Sequence, residues 1–532
     1  MPHGTVLAEA AMAPKLIRVP VGQTKSVPAF VFYVAMAASA SLYLASAIHS
    51  ASQTPFWMDE VLTYIVATQP SMAEVWRAIW TGTDFSPPTF HWLLHGFPGL
   101  ESHALIVARL PGIMGLLAAA LCMAGIVRRQ TGLPWASLAF AITLASPMFA
   151  FAIQARQYGL LAFSVALALW LWSGLPAHPR TRPIAGIWAA LALALCLHFY
   201  GIVLVGAVVL CEGLWSWRNR AVRRPVWVAL AGLVPVFLVW FPLAHHLRTI
   251  SAADQIGLGF YGRPTLARLV ATCAQLFIGG QPQGPVYFGI AVAVAVGATL
   301  RRQEKQASPP PPSQANIVLI GLAAIPIGAF ALAVLATGSF MPRYASAAGL
   351  LAGPALGLWL GRRHYPDWMA LLPLPFVALS LVMQTQSHKR GPIIAAAAQA
   401  IVDTPANMPV VTGDGQLYLE LLAALPPAQN RRLAYLAGPT PDHSPDPTNE
   451  HEVLRLATIE PRIRVVSFAQ ATAAGQRLNI LHTRPGQIDM AKAAIANWHL
   501  PAASIAENSI ARIDQVEIPS QTGPAPKGKI VK

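Results

Sequence analysis

Charge is what this sequence has least of. Asp, Glu, Lys and Arg together make up 11% of the 532 residues, where a soluble globular chain carries about 25%. So little charge cannot solvate the surface of a globule this long, which excludes a cytosolic enzyme. Acids are scarcer than bases, 22 against 37, and the formal net charge is +15. That surplus does not make nucleic acid a partner, because the positive residues sit in short clusters between apolar runs, as membrane orientation requires. Cysteine is also rare. Cys122, Cys196, Cys211 and Cys273 lie far apart without metal-ligand spacing, at least three of them inside apolar runs, and read as buried, unpaired thiols. Collagen, coiled-coil and disordered classes are excluded by the same composition, and no internal repeat is visible.

Apolar residues fill the space that charge leaves: the AVILMFWYC set is 55% of the chain. Val27–Ile48 holds 22 residues, enough to span a hydrocarbon core of about 30 Å as a helix. It is longer than a signal-peptide core and reads as an uncleaved anchor. Further runs are Ala104–Val127, Leu133–Ile153, Tyr158–Leu175, Val226–Leu243, Pro285–Leu300, Ile317–Thr337, Tyr344–Leu360 and Trp368–Met383. Ile184–Trp215 is nearly continuous over 32 residues, too long for one upright span. Arg180 and Arg182 precede it and Arg218, Arg220, Arg223 and Arg224 follow it, so both ends should face the cytoplasm. The chain must then cross twice, turning near His198-Phe199-Tyr200-Gly201.

The fold class that follows is an α-helical polytopic membrane protein of about 11 transmembrane helices with a C-terminal extracytoplasmic α/β domain. Threaded with the N-terminus inside, the inner connections hold 16 Lys and Arg and the outer ones before the tail hold seven, the asymmetry expected of a multi-pass protein. The expected divisions are a cytoplasmic tail (1–26), a membrane domain (27–383) with a long first outer loop (49–103), an α/β domain (384–519) and a disordered tail (520–532). A second outer stretch, Ala244 to about Gly284, contains an apolar piece, Leu266–Ile278, expected to lie along the interface. SPPPPS at 308–313 reads as a stiff inner linker. Beyond Met383 polar content becomes ordinary. Pro409–Thr412 and Arg462–Phe468 read as strands, Gln416–Ala424 and Ile488–Trp498 as helices.

Ionisable residues gather at the outer span ends. The first loop opens on Phe56-Trp57-Met58-Asp59-Glu60 and continues through Thr83-Asp84-Phe85-Ser86-Pro87-Pro88. An acidic pair beside a span suits either a helix N-terminus or a general base at the membrane face. Arg109, Arg156 and Arg343 stand at outer span ends among aromatics or prolines. One such Arg would merely snorkel, but three on one face suggest an anion site, since guanidinium binds phosphate bidentately.

The order of these pieces resembles the GT-C superfamily of polytopic glycosyltransferases: Asp59-Glu60; Asp84 before Pro87-Pro88; Arg109-Leu110-Pro111; Arg156-Gln157-Tyr158; His198-Phe199-Tyr200-Gly201; and Pro342-Arg343-Tyr344. It is most similar to the bacterial branch related to protein O-mannosyltransferases and the lipid A aminoarabinose transferase. The likeness covers about residues 50–350. It implies an enzyme of the bacterial inner membrane that moves a sugar from a polyprenyl-phosphate donor, with inversion, to a glycan, lipid or protein acceptor of the cell envelope. It carries the catalytic carboxylate over to Asp59 with Glu60 as its companion. Substrate binding falls to Asp84, Arg109, Arg156, Tyr158, His198, Tyr200, Arg343 and Tyr344, the carrier phosphate to Arg156 and Arg343 above all. Relatives often have His before the Pro-Pro pair, where this chain has Ser86. No ligand cluster demands a metal or cofactor. Some members of the superfamily use a divalent ion near the acidic loop, a place occupied here by Asp59, Glu60 and Asp84.

Two other readings share parts of this pattern. A transporter or flippase of lipid-linked sugars would have the same fold class, but transporters place polar breaks at the membrane midplane, often in paired repeats. Here the ionisable groups lie mostly at span ends rather than in span centres. A membrane anchor displaying its α/β domain would explain neither eleven spans nor a 55-residue first loop.

Overall fold

The structure, a computed structural model, describes residues 27–254, 262–300, 313–363, 365–385, 391–438, 447–471, 477–483 and 502–517. The expected tails at 1–26 and 520–532, the 308–313 linker up to residue 312 and the Ile488–Trp498 helix lie outside the described residues. Among the described residues seven helical segments are long and apolar enough to cross a membrane: Ala29–Gln53, Ala104–Thr131, Gly201–Asn219, Arg224–Ala252, Gln314–Thr337, Pro342–Gly361 and Asp367–Thr385. The remaining four expected spans fall on the shorter apolar helices Leu133–Leu144, Tyr158–Ser173, Thr181–Leu197 and Gly284–Ala298. The chain is thus an α-helical polytopic membrane protein with a C-terminal sheet domain.

Three helix ends differ from those expected. The run Leu133–Ile153 is helical only to Leu144, because Pro147 disfavours helix at Ser146 and forces a turn before the short helix Phe149–Ala152. The helix beginning at Val234 does not stop at Leu243: it accommodates Pro242 and runs to Asp254. The first helix likewise continues past Ile48 to Gln53. The double crossing within Ile184–Trp215 is present. Thr181–Leu197 ends at His198 in extended conformation, and Gly201–Asn219 starts three residues later. Only glycine fits at 201, where an added Cβ would lie 2.2 Å from the Ala194 carbonyl oxygen.

Small residues bring the central helices together. Gly112 and Gly115 of Leu110–Thr131 face Gly159 of Tyr158–Ser173, and a Cβ at Gly159 would stand 2.1 Å from the Gly112 carbonyl. Such close backbone approach drives helix association where lipid removes the hydrophobic force. At the end of the bundle remote from the first loop, Glu212 and Arg223 form a buried pair, 2.5 Å apart, both side chains with no exposure. Trp172 Nε1 donates to Glu212 at 2.8 Å and the Arg223 guanidinium lies 3.9 Å from the Trp215 ring centre. The piece expected along the interface, Leu266–Ile278, is helical, with Leu266, Val270 and Ile278 exposed.

The C-terminal domain is a six-stranded sheet of β1 (Val410–Thr412), β2 (Leu433–Ala437), β3 (Val465–Ser467), β4 (Arg477–Thr483), β5 (Ala502–Glu507) and β6 (Ala511–Glu517), in the order β3-β2-β1-β4-β6-β5. The β3-β2-β1-β4 part is parallel, with helix Gly415–Ala424 crossing between β1 and β2, and β4-β6-β5 is antiparallel. Gly415–Ala424 packs on the first-loop helix Met58–Ala67, and helix Pro447–Leu456 packs on Val234–Asp254. The domain therefore sits on the face of the bundle that bears the first loop.

Candidate active site

The helix Met58–Ala67 organises the site by presenting its two acids in opposite settings. Asp59 and Glu60 both fall in its first turn, where the helix dipole favours carboxylates. Consecutive residues point about 100° apart around a helix, and the two acids accordingly meet different partners.

Glu60 points inward and is 1% exposed. Its oxygens accept from Arg109 Nε and Nη2, each at 2.8 Å, from the Ala155 amide at 2.6 Å and from the Trp57 amide at 3.1 Å. The rest of the Arg109 guanidinium donates to the carbonyls of Ala51, Thr54 and Pro55. All five of its N–H donors are thereby used, and none is left for a ligand. The geometry gives Glu60 and Arg109 a part other than the expected catalysis and substrate binding. They tie the end of the first helix, the first loop and the segment before Arg156 into one unit.

Asp59 faces the other way, into a cavity of about 340 Å³. Eight of the ten expected site residues line it: Asp59, Asp84, Arg156, Tyr158, His198, Tyr200, Arg343 and Tyr344. Glu60 and Arg109 do not. Arg343 Nη1 donates to Asp59 Oδ2 at 2.5 Å, and its guanidinium lies 5.6 Å from both the Trp57 and Tyr344 ring centres. Arg343 is placed by a sharp entry: Pro342–Leu351 starts as a 3₁₀ helix after the π turn Ala333–Thr337, and irregular helical turns of this kind often mark functional sites.

Beneath Asp59 lies a buried network. Arg156 grips Asp84 with both Nη atoms, at 2.5 and 3.2 Å, and also donates to Thr63 Oγ1 at 2.7 Å. Asp84 receives three more partners, Ser86 Oγ at 3.1 Å, His91 Nε2 at 3.1 Å and Thr63 Oγ1 at 3.5 Å. Burial would raise the Asp84 carboxyl, but the Arg156 charge and His91 outweigh it and hold it well below the usual carboxylate range. Arg156 is correspondingly pushed up: burial acts against its charge and Asp84 more than compensates. Arg156 Nε and the Tyr158 hydroxyl, both buried, have no hydrogen-bond partner. Two donors on cavity-lining residues thus await acceptors.

His91 is the residue that sequence reading missed. It is fully buried, and only its spacing from Asp84 hinted at a role: Pro87-Pro88 starts the helix Thr89–His95 and brings its first turn back over Asp84. His198, Tyr200, Tyr158 and Tyr344 form an aromatic wall, with Tyr200 and Tyr344 stacked at 4.4 Å. The Tyr200 hydroxyl bonds Thr337 Oγ1 at 2.6 Å and the Ser339 carbonyl, which fixes the 198–201 turn against the approach to Arg343. The Tyr200 amide donates to His198 Nδ1 at 3.0 Å, so the ring proton is on Nε2. Burial first, then the Arg156 charge, lowers His198 to about 3, and the imidazole is a neutral donor at ordinary pH.

Among the described residues no group of three His, Cys, Asp or Glu side chains could hold a metal ion. The three carboxylates of the acidic loop are each paired with an arginine, Asp59 with Arg343, Asp84 with Arg156 and Glu60 with Arg109. Chemically, the lining of the cavity combines three carboxylates (Asp59, Asp84 and Glu452), three arginines (Arg156, Arg248 and Arg343), three phenols and two imidazoles, His198 and His245.

No family model matches the chain, and no curated protein matches it by sequence. Solved structures do. It is similar to ArnT from Cupriavidus metallidurans in the apo state, with 16% identity and a TM-score of 0.55, covering 92% of this chain and 98% of the other. It is likewise similar to the same protein bound to undecaprenyl phosphate, with 17% identity, a TM-score of 0.52 and the same coverage. An oligosaccharyltransferase from Archaeoglobus fulgidus aligns more loosely, at 13% identity and a TM-score of 0.42. The chain has, over nearly its whole length, the polytopic membrane fold of ArnT, the fold expected from its likeness to the GT-C superfamily.

Proposed function

We propose that this protein is a membrane glycosyltransferase that moves a sugar, with inversion, from a polyprenyl-phosphate donor to an acceptor of the bacterial cell envelope. In this reading it lies in the cytoplasmic (inner) membrane with the first loop and C-terminal domain outside. The observation that carries the reading is the convergence of Asp59, Arg156 and Arg343 on one cavity. The fold shared with ArnT, one of whose structures is bound to undecaprenyl phosphate, supports it.

The chemistry follows from the groups present. A polyprenyl phosphate cannot leave the bilayer, so its sugar must be met by an enzyme embedded at the membrane face. The departing phosphate carries charge that Arg156 and Arg343 stabilise, with the unpartnered Arg156 Nε and Tyr158 hydroxyl as ready donors. Arg343 holds Asp59 at 2.5 Å. A phosphate drawing Arg343 toward itself frees the Asp59 oxygen to take the proton of the acceptor hydroxyl, whose own oxygen bonds to the anomeric carbon as the bond from that carbon to the phosphate breaks. A phosphate needs little protonation to leave, so one base suffices where a glycosidase uses two carboxylates. No cofactor enters this mechanism. A divalent ion, if one is used, would need Asp59 or Asp84 released from its arginine.

Mass spectrometry of envelope glycans and lipid-linked sugars, with and without the gene, tests the reading. One modified acceptor should disappear while its polyprenyl-phosphate sugar accumulates. Loss of the acceptor modification without donor accumulation on the outer leaflet would favour a flippase instead.

A further inference from the structure

The C-terminal domain does more than rest on the bundle: it contributes a side chain to the cavity. Helix Pro447–Leu456 explains how. Glu450 is fully buried and accepts from the Gly438 amide at 3.1 Å and from the Tyr435 hydroxyl at 3.4 Å, which ties the helix to β2. Val453 and Leu456, three and six residues on, are fully buried as well. These positions share one helical face. The other face carries Glu452 and Arg455, also three apart. Arg455 reaches across to the Gly82 carbonyl at 3.4 Å, in the turn just before Asp84, and Gly82 is held there at φ +84°. Glu452 thereby lines the same cavity as Asp59 and Arg343, as do His245 and Arg248 of Val234–Asp254.

A carboxylate in this position is unsuited to the donor's phosphate, which it would repel, and unsuited to the prenyl chain, which Phe237, Phe241 and Leu332 can accommodate. The remaining part of the donor is the sugar, one bond from the phosphate and therefore confined to the same space. Asp84 is saturated by Arg156, His91 and Ser86, and Asp59 is assigned to the acceptor's proton. Accepting the hydroxyl hydrogens of the sugar falls to Glu452, whose carboxylate can take them up in addition to its contacts within the chain.

We propose that Glu452 is a specificity-determining residue, through which the C-terminal domain recognises the hydroxyls of the sugar carried by the polyprenyl phosphate. The inference rests on the glycosyltransferase reading above. It makes the domain a wall of the donor site, so that the choice of sugar depends on a part of the chain outside the membrane helices.

Binding tests the proposal without requiring knowledge of the acceptor. The full chain in nanodiscs is titrated, by native mass spectrometry, with undecaprenyl phosphate alone and with undecaprenyl phosphate carrying glucose, mannose or arabinose. Wild type should hold at least one sugar-bearing lipid more tightly than the bare lipid. Glu452→Ala should weaken that lipid about tenfold, equivalent to about 1.4 kcal/mol, and leave the bare lipid unchanged. Glu452→Gln, which keeps one acceptor oxygen, should lose less than Glu452→Ala. Equal weakening of bare and sugar-bearing lipids would mean that Glu452 only docks the domain, and no weakening of either would remove it from the site. Both results overturn this inference while leaving the glycosyltransferase reading intact. A Gln variant as weak as Ala would point to a cationic group and overturn the hydroxyl assignment. A wild-type chain that prefers no sugar over the bare lipid overturns the sugar subsite, and one that binds none of the lipids overturns the parent reading as well.

Discussion

Replacing Glu60 by Gln asks whether this acid catalyses or holds the fold. The structure specifies the cost. Gln retains one carbonyl oxygen, which can still accept from the Ala155 amide, but it forfeits the two charged contacts to Arg109 at 2.8 Å. Arg109 is then left with its full charge at 2% exposure. Breaking a buried pair on one side costs about 3–5 kcal/mol, whereas replacing both partners is often close to neutral. Glu60→Gln and Arg109→Gln should therefore each destabilise by about 3–5 kcal/mol, and the double variant should recover most of one of those losses. Unfolding in mixed micelles, followed by tryptophan fluorescence, supplies the three free energies. Singles that simply add would show that the pair is not a coupled unit. A Glu60→Gln protein of wild-type stability that has lost only turnover would refute the structural role and return Glu60 to catalysis.

Three further outcomes follow from the same geometry. Arg156→Lys keeps a charge but cannot hold Asp84 and present a spare donor together, so donor turnover should fall by about 10²–10³-fold; near-normal turnover would remove Arg156 from the phosphate site. His198 sits at about 3 when folded against about 6.5 unfolded. The unfolded state therefore binds the extra proton as pH drops from about 6.5, and stability should fall by up to about 1.4 kcal/mol per pH unit toward pH 3. His198→Gln should flatten that slope in pH-dependent unfolding, and an unchanged slope would contradict the buried neutral imidazole. At the far end of the bundle, Glu212→Ala strands Arg223 without a counter-ion and should cost about 3–5 kcal/mol by the same unfolding assay; a loss under 1 kcal/mol would show that Arg223 finds another partner.

How much was legible in the sequence depended on whether the determinants were local. The turn at His198 could be found because run length and flanking arginines act within a few dozen residues. The strands at Val410 and Val465 and the helix Gly415–Ala424 were likewise legible in local pattern. Helix ends were less so. Nothing in the hydropathy tells that Val234–Asp254 continues through Pro242 to carry His245 and Arg248 to the cavity. Adjacent acids at Asp59 and Glu60 look interchangeable in one dimension, yet one faces a cavity and the other a buried arginine 49 residues away. Such pairings, like that of His91 with Asp84 or the entry of Glu452, are set by tertiary packing, which periodicity does not encode.

In the proposed reaction Asp59 takes the acceptor's proton while Arg156 and Arg343 hold the donor's phosphate. The most direct test is the release of undecaprenyl phosphate from its sugar-bearing form by purified protein supplied with an envelope extract, comparing wild type with Asp59→Asn. Asn preserves shape and can still hydrogen-bond Arg343 but cannot accept the proton. With Asp59 as the base, wild type should release the lipid phosphate, Asp59→Asn should release it about 10²–10⁴-fold more slowly, and both should still bind the donor. Near-normal release by a folded Asp59→Asn protein would contradict that role.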